Sequence, residues 1–266
     1  MKLNSLGLFV GTGQCNARCA HCAGVPIRKF AAKEDGVIDR NLISKTLEYC
    51  YDKGARYLSL TSSGEPTLSP LSVTATLEII QEFKQRGMEF NPVNLYTNGI
   101  LLGNEEFCNT WLPRWRALGL TTIYITVHNA SERHNAVAYG VDSYPSFLMM
   151  FSRIHAVDLA IRANIVLCKN TIATCWDLEE TINVLKFYGA DSVSVWPVRD
   201  MQDEIDKELA PPEEEMKKIV KLCKSMNKLD LSFKIRLLYG EDRAVYKTGQ
   251  KLTLFPDGRL SNSWCN

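Results

Sequence analysis

The chain has 266 residues, 45% of them apolar and 23% charged, with a formal net charge of +1. That size and composition suit one large or two small globular domains that bury their apolar surface without disulfides, and they exclude wholesale disorder. The near-zero charge argues against a nucleic-acid or membrane-surface binder, no apolar run is long enough to span a bilayer, and the first residues lack a secretory signal pattern, so the expectation is a cytoplasmic protein.

Short β-branched and aromatic runs alternate with longer stretches of helical spacing. In chain order they are strand Leu6–Gly11, helix Arg40–Lys53, strand Tyr57–Thr61, helix Ser72–Arg86, strand Val93–Thr97, helix Glu105–Leu118, strand Thr122–Val127, helix Ser146–Ala156, strand Ile161–Leu167, helix Trp176–Tyr188, strand Ser192–Val198 and helix Pro212–Met226. Gly54, Gly87, Gly119 and Gly189 each follow a helical stretch, where a C-terminal cap wants a positive φ. Six strand–helix alternations predict a parallel sheet covered by helices, as a partial (β/α)6 barrel or an open doubly wound sheet. A strand at Leu231–Leu238 follows, then a hairpin of Lys251–Phe255 and Arg259–Trp264 turning at Pro256-Asp257-Gly258. The division expected is a core over residues 1–226 and a short C-terminal strand and hairpin extension over 227–266, packing on the core and closing or capping it.

With no secretion signal and an odd count of nine, the cysteines are not expected to pair. Three of them follow the first strand directly, in Gly11-Thr12-Gly13-Gln14-Cys15-Asn16-Ala17-Arg18-Cys19-Ala20-His21-Cys22, spaced C-x3-C-x2-C. That spacing lets one loop wrap a soft metal centre. Three thiolates rather than four leave a coordination position open for a ligand. A zinc site completed by His21 is the rival reading, though Cys19, His21 and Cys22 are crowded for one ion. Cys50, Cys108, Cys168, Cys175 and Cys223 have no metal spacing and read as packing residues.

The C-x3-C-x2-C loop after a first strand resembles the signature of the radical S-adenosylmethionine (radical SAM) superfamily. The resemblance covers about residues 6–200 and favours a partial (β/α)6 barrel of the radical SAM type. It implies that Cys15, Cys19 and Cys22 hold a [4Fe–4S] cluster whose fourth iron binds SAM. Reductive cleavage of SAM then yields methionine and a 5′-deoxyadenosyl radical that takes hydrogen from a substrate. It also implies a reductant such as flavodoxin or ferredoxin.

Later strand ends extend the resemblance. Ser63-Gly64-Glu65-Pro66 is similar to the family's GGEP motif, with Ser63 in place of a glycine. Gly64 would admit a close ligand, Glu65 would accept the ammonium group of SAM and Pro66 would stiffen the exit. Asn98, in Tyr96-Thr97-Asn98-Gly99, resembles another family strand end. Thr126 and His128 share one face of the fourth strand, and Arg162 and Asn164 one face of the fifth, so a polar barrel interior is expected. In the family the backbone of the sixth strand flanks the adenine, which leaves Trp196 either beside that site or in the core, and His21 occupies a position that is usually aromatic and stacks near it. The tail, Leu252 to Arg259 with Cys265, resembles the hairpin that opens an auxiliary-cluster extension. Tyr246 stands near the position where a first ligand would fall, which points to a relic or a truncated chain.

The function expected is a radical SAM enzyme acting on a small-molecule or nucleotide-like substrate, with no membrane or nucleic-acid partner. The enzymatic alternatives are a glycyl-radical-enzyme activase and a peptide-modifying radical SAM enzyme. The alternative of another class is a non-catalytic zinc or iron–sulfur binding module.

Overall fold

A computed structural model describes residues 2–22, 24–30, 34–240 and 250–262. Its elements are β1 (Ser5–Phe9), α1 (Gly24–Phe30), α2 (Arg40–Asp52), β2 (Tyr57–Thr61), α3 (Pro70–Gln85), β3 (Val93–Thr97), α4 (Glu105–Ala117), β4 (Thr122–Val127), α5 (Glu132–Tyr139), α6 (Phe147–His155), β5 (Ala160–Leu167), α7 (Cys175–Phe187), β6 (Ser192–Pro197), α8 (Glu213–Leu229), β7 (Lys234–Leu237), β8 (Lys251–Leu254) and β9 (Leu260–Ser261). They form one nine-stranded sheet in the order β7-β6-β5-β4-β3-β2-β1-β8-β9. Every pairing is parallel except β8 with β9.

Strand alternation divides the sheet into two chemical faces. Leu6, Leu8, Leu58, Leu60, Leu95, Ile123, Ile125, Ile161, Ile165, Val193 and Val195 are fully buried and belong to a single core with helix residues such as Leu47, Leu77, Leu112, Phe151, Ile182 and Ile219. Each such side chain contributes about 1.5–3 kcal/mol by leaving water. The intervening residues (Gly7, Ser59, Asn94, Tyr96, Thr126, Arg162, Asn164, Ser194) make the other face polar. That polar inner face is what Arg162 and Asn164 led us to expect. Local signals set the helix ends. Asp39 and Asn104 cap α2 and α4, and Thr174 with Asp177 forms a capping box on α7. The four glycines expected to end helices all have positive φ.

The tail was expected to close or cap the barrel. Its described strands instead lengthen the sheet at both edges. β7 pairs with β6 and β8 pairs with β1, in a register that sets Leu6 opposite Leu252. The unpaired edges of β1 and β6 are thereby satisfied. Trp264, Cys265 and Tyr246 lie outside the described residues. Two helices were not expected, α1 and α5. Neither carries an apolar stripe of helical period, and α5 buries only Asn135, Ala136 and Tyr139.

Candidate functional site

The carboxyl ends of the strands open on one cavity of about 330 Å3. Cys15, Cys19, His21, Cys22, Ser63, Gly64, Glu65, Pro66, Asn98, Thr126, His128, Asn164 and Trp196 all line it. The sequence-predicted residues thus converge from β1 through β6, with one exception. Arg162 is not part of the lining. It sits two residues before Asn164 on β5, about 6.5 Å further down the strand. There it donates to the Tyr124 hydroxyl and to Ser192 Oγ, each at 2.9 Å. It forms the floor below the cavity rather than its wall.

The cysteine loop is pinned from three sides. Glu65 N donates to the Gln14 carbonyl at 2.7 Å, Arg18 N to the Tyr139 carbonyl at 2.7 Å, and Asn98 Nδ2 to Asn16 Oδ1 at 2.7 Å. Helix α5, which sequence reasoning missed, therefore positions the loop through Tyr139. Gly64 packs so closely on the loop that a Cβ there would run into the carbonyls of Gly13 and Gln14. The close approach it allows is to the chain's own cysteine loop. Burial pushes up the thiols of Cys15 and Cys19, the latter to about 12, and charge on the neighbouring thiols adds to the shift. Arg28, from α1, donates to the Ser63 carbonyl and lies 3.8 Å from Cys22 Sγ, bringing a positive charge to the thiols. Among the described residues no group of three His, Cys, Asp or Glu side chains is gathered closely enough to hold a single metal ion.

Two buried carboxylates organise the segment after β2. Glu34, which no sequence pattern pointed to, accepts from Ser63 N at 2.6 Å and from Ser62 Oγ at 2.7 Å. Glu65 is 2% exposed, and its two oxygens accept four bonds: from Thr67 N (3.0 Å), Thr67 Oγ1 (2.7 Å), Thr97 Oγ1 (2.7 Å) and Asn98 N (2.7 Å). Three of these bonds converge on Oε1 and one reaches Oε2, which keeps a further lone-pair position. The resemblance has Glu65 receiving an ammonium group, a role that the second lone pair of Oε2 leaves open. In the structure its carboxylate clamps the end of β2 to the end of β3, while burial pushes its pKa up against the pull of those donors. Pro66 opens a short 3-10 turn, Pro66–Leu68, that Glu65 caps.

The opposite wall is different. Asn164 is 6% exposed, and its Oδ1 has no hydrogen-bond partner among the described residues. Thr126 faces the cavity on β4. Its carbonyl accepts from the Tyr139 hydroxyl at 2.8 Å. His21 Nε2 and His128 Nδ1 lie 3.3 Å apart, and His128 also packs edge-on against Tyr139. Burial, with His21 a smaller cause, pushes the His128 pKa down to about 3, so its imidazole is neutral. Arg199 stands 4.7 Å from the Trp196 ring and pairs with Asp203 at 2.5 Å. Arg199 and Lys251 also line the cavity, which no sequence signal indicated.

No protein-family model and no curated protein matches the sequence. Solved structures do match. Streptococcus suis SuiB bound to precursor peptide SuiA is 14% identical with a TM-score of 0.69, covering 100% of this chain and 60% of that one. SuiB bound to S-adenosylmethionine is 13% identical with a TM-score of 0.69, covering 98% and 60%. Native anSMEcpe with bound AdoMet and Cp18Cys peptide is 13% identical with a TM-score of 0.63, covering 96% and 73%. The chain thus spans 60% of the length of SuiB. Its fold is the mostly parallel α/β sheet of these structures, with a short C-terminal hairpin.

Proposed function

We propose that the chain is a radical SAM enzyme. The observation that carries this reading is the convergence of the three cysteines and the ends of β2 to β6 on one cavity, in a fold shared with structures solved with bound SAM. Cys15, Cys19 and Cys22 would hold a [4Fe–4S] cluster. The residues fit such a group. The thiols line the cavity together, and charge on Cys22 and Cys15 adds to the burial that pushes the Cys19 thiol up, a repulsion that a bound cation relieves. Asn164 lines the same space, and its buried Oδ1 has no partner among the described residues. When bound, the cluster supplies the electron that cleaves SAM to methionine and a 5′-deoxyadenosyl radical able to take hydrogen from the substrate.

The chain's own residues bind, orient and shield. Asn164 and Thr126 offer an amide and a hydroxyl to the polar groups of SAM. Neutral His128 fixes the His21 ring beside the cysteine loop. Trp196 and Tyr96 bring aromatic surface to the cavity wall, which excludes water and keeps a reactive group with its target. An external electron donor of the flavodoxin or ferredoxin kind completes the system.

We further infer a peptide substrate, in place of the small-molecule or nucleotide-like one expected from sequence. The support is that SuiB and anSMEcpe, which this chain overlays along nearly its whole length, were each solved with a peptide. Anaerobic reconstitution with iron and sulfide tests the enzyme reading. It predicts a brown protein that releases 5′-deoxyadenosine when given SAM and dithionite, and that loses its cluster in Cys19→Ala. A colourless protein holding one tight zinc ion overturns it. Substrate class is read from a uniformly deuterated peptide pool run beside a deuterated metabolite and nucleoside pool. Deuterium in 5′-deoxyadenosine from the peptide pool alone is expected, and label from the other pool alone overturns the peptide reading.

A further inference from the structure

Asn98 stands at the carboxyl end of β3, and every polar atom it has is engaged. Its N–H donates to Glu65 Oε2 at 2.7 Å and its carbonyl accepts from the Tyr144 hydroxyl at 2.8 Å. Its Oδ1 accepts from Ile100 N at 2.9 Å. Its Nδ2 donates to Asn16 Oδ1 at 2.7 Å and lies 3.8 Å from Cys15 Sγ, within hydrogen-bond range for sulfur. The amide cannot be turned over. Ile100 N–H is a donor and demands the side-chain oxygen, which leaves the NH2 group facing Asn16 and Cys15. A primary amide has two N–H bonds, so Asn16 takes one and the Cys15 sulfur receives the other.

This arrangement spends both side-chain N–H bonds of Asn98 within the chain. It gives the residue a task at the cysteine loop. A donor aimed at a cysteine sulfur stabilises negative charge there, and more so when the metal group it ligates has gained an electron. Hydrogen bonds to sulfur are one of the means by which proteins set iron–sulfur potentials. The buried surroundings keep the donor in place. Glu65 holds the Asn98 backbone from β2, Tyr144 holds it from below, and Asn98 is 8% exposed.

We propose that Asn98 is a positioning residue that raises the reduction potential of the cluster through its Nδ2–H···Sγ bond to Cys15. The inference rests on the cluster reading above. The electron comes from the external reductant, and the bond strengthens as the reduced cluster's sulfur gains charge. Glu65 is the anchor of the same relay, reaching the Cys15 sulfur through Asn98.

The test is a spectroelectrochemical titration of the reconstituted protein and two variants. Asn98→Leu removes the sulfur donor at similar volume and without adding charge. Asn16→Ala removes the loop tether and leaves the sulfur donor intact. At the wild-type midpoint, the ratio of reduced to oxidised cluster should fall about tenfold in Asn98→Leu, which for one electron is about 59 mV more negative. Asn16→Ala should stay within about twofold, below the size of a lost hydrogen bond to a charged group. A fully loaded Asn98→Leu protein with an unchanged midpoint overturns the inference. If that variant does not hold a cluster, pulsed EPR on Asn16→Ala protein carrying 15N in its asparagine side chains decides. A nitrogen coupling to the reduced cluster supports the Nδ2–H···Sγ bond, and its absence overturns it. A wild-type protein that takes up no cluster overturns the functional reading itself.

Discussion

On the β1–β3 side of the cavity, Glu34, Glu65 and Asn98 direct their hydrogen bonds at other parts of the chain. On the β5 side, Asn164 turns an amide to the cavity with its Oδ1 unpartnered. Both sides are polar, both are buried and both stand at the carboxyl ends of parallel strands. The difference shows that burial and position do not by themselves mark a ligand contact. The Glu34 and Asn98 side chains find their partners within the chain, whereas Asn164 lines the cavity with an oxygen that has no partner among the described residues. On the proposed reading, the β1–β3 rim holds the cysteine loop in place, and Asn164 on the opposite wall meets the ligand.

Substitutions should separate the two sides. The largest effect is expected at Glu65. Glu65→Ala strands four donors in a buried site and should cost about 3–5 kcal/mol of stability, read as a lower urea midpoint. It should also loosen the cysteine loop, so that iron uptake per chain falls with stability. An unchanged urea midpoint would show that the four bonds are not what joins β2 to β3. On the other wall, Asn164→Ala should leave the unfolding free energy from urea titration within about 0.5 kcal/mol of wild type, because the lost Oδ1 had no partner to strand. The same variant should weaken SAM binding about tenfold by calorimetry, the worth of one hydrogen bond inside a buried site. A variant that loses stability and keeps its SAM affinity would reverse the assignment of the two sides.

Much of this geometry is legible in the sequence, and the illegible part has physical causes. Three strands, Tyr57–Thr61, Val93–Thr97 and Thr122–Val127, have the bounds their β-branched runs and flanking turns predict. Apolar pattern reports burial on the helix-facing side, so it reads the sheet well. It cannot read α5, whose work is to place Tyr139 against the cysteine loop rather than to fill the core. Ser131 before it and Gly140 after it, the latter at φ +63°, were the available cues. Nor can it read partnership. Glu65 was legible as a site residue from its motif. Its engagement depends on Thr97 and Asn98, more than thirty positions away and adjacent only once β2 and β3 pair. Glu34 had no motif at all. Arg162 illustrates the limit of face counting. Residues two apart share a face but differ in depth, and depth decided that Asn164 lines the cavity and Arg162 lies beneath it.

A milder cut on the rim sharpens the same contrast. Tyr144→Phe removes only the hydroxyl that donates to the Asn98 carbonyl and leaves the aromatic packing against Tyr139 and Phe147 in place. It should cost about 1 kcal/mol of stability by denaturant titration. Its SAM affinity should stay at the wild-type value, since the bond lies behind the rim and away from the wall. A drop in SAM affinity without a drop in stability would place Asn98 on the ligand side.

The smallest effect lies far from the cavity and calibrates the others. Lys186 on α7 sits 2.5 Å from Asp230, the residue that ends α8, and Ser232 adds a backbone and a hydroxyl donor to the same carboxylate. Lys186 and Ser232 together hold the Asp230 carboxyl well below its ordinary value of 3.8. The sign follows from proton counting. Below 3.8 the unfolded chain takes up a proton that the folded chain refuses, so the stabilisation is complete above that pH and drains away as pH falls beneath it. Asp230→Asn should therefore be slightly less stable than wild type near neutrality, and the two urea curves should converge on acidification below pH 3.8. Salt should narrow the gap as well, because the pair is solvent-exposed and screened. If the gap persists in acid, the carboxylate's charge is not its source, and the Ser232 turn that Asn can still cap accounts for none of it either. In that event the helix end owes its stability to packing, and exposed pairs of this kind cannot serve as the baseline against which the buried clamp at Glu65 is judged.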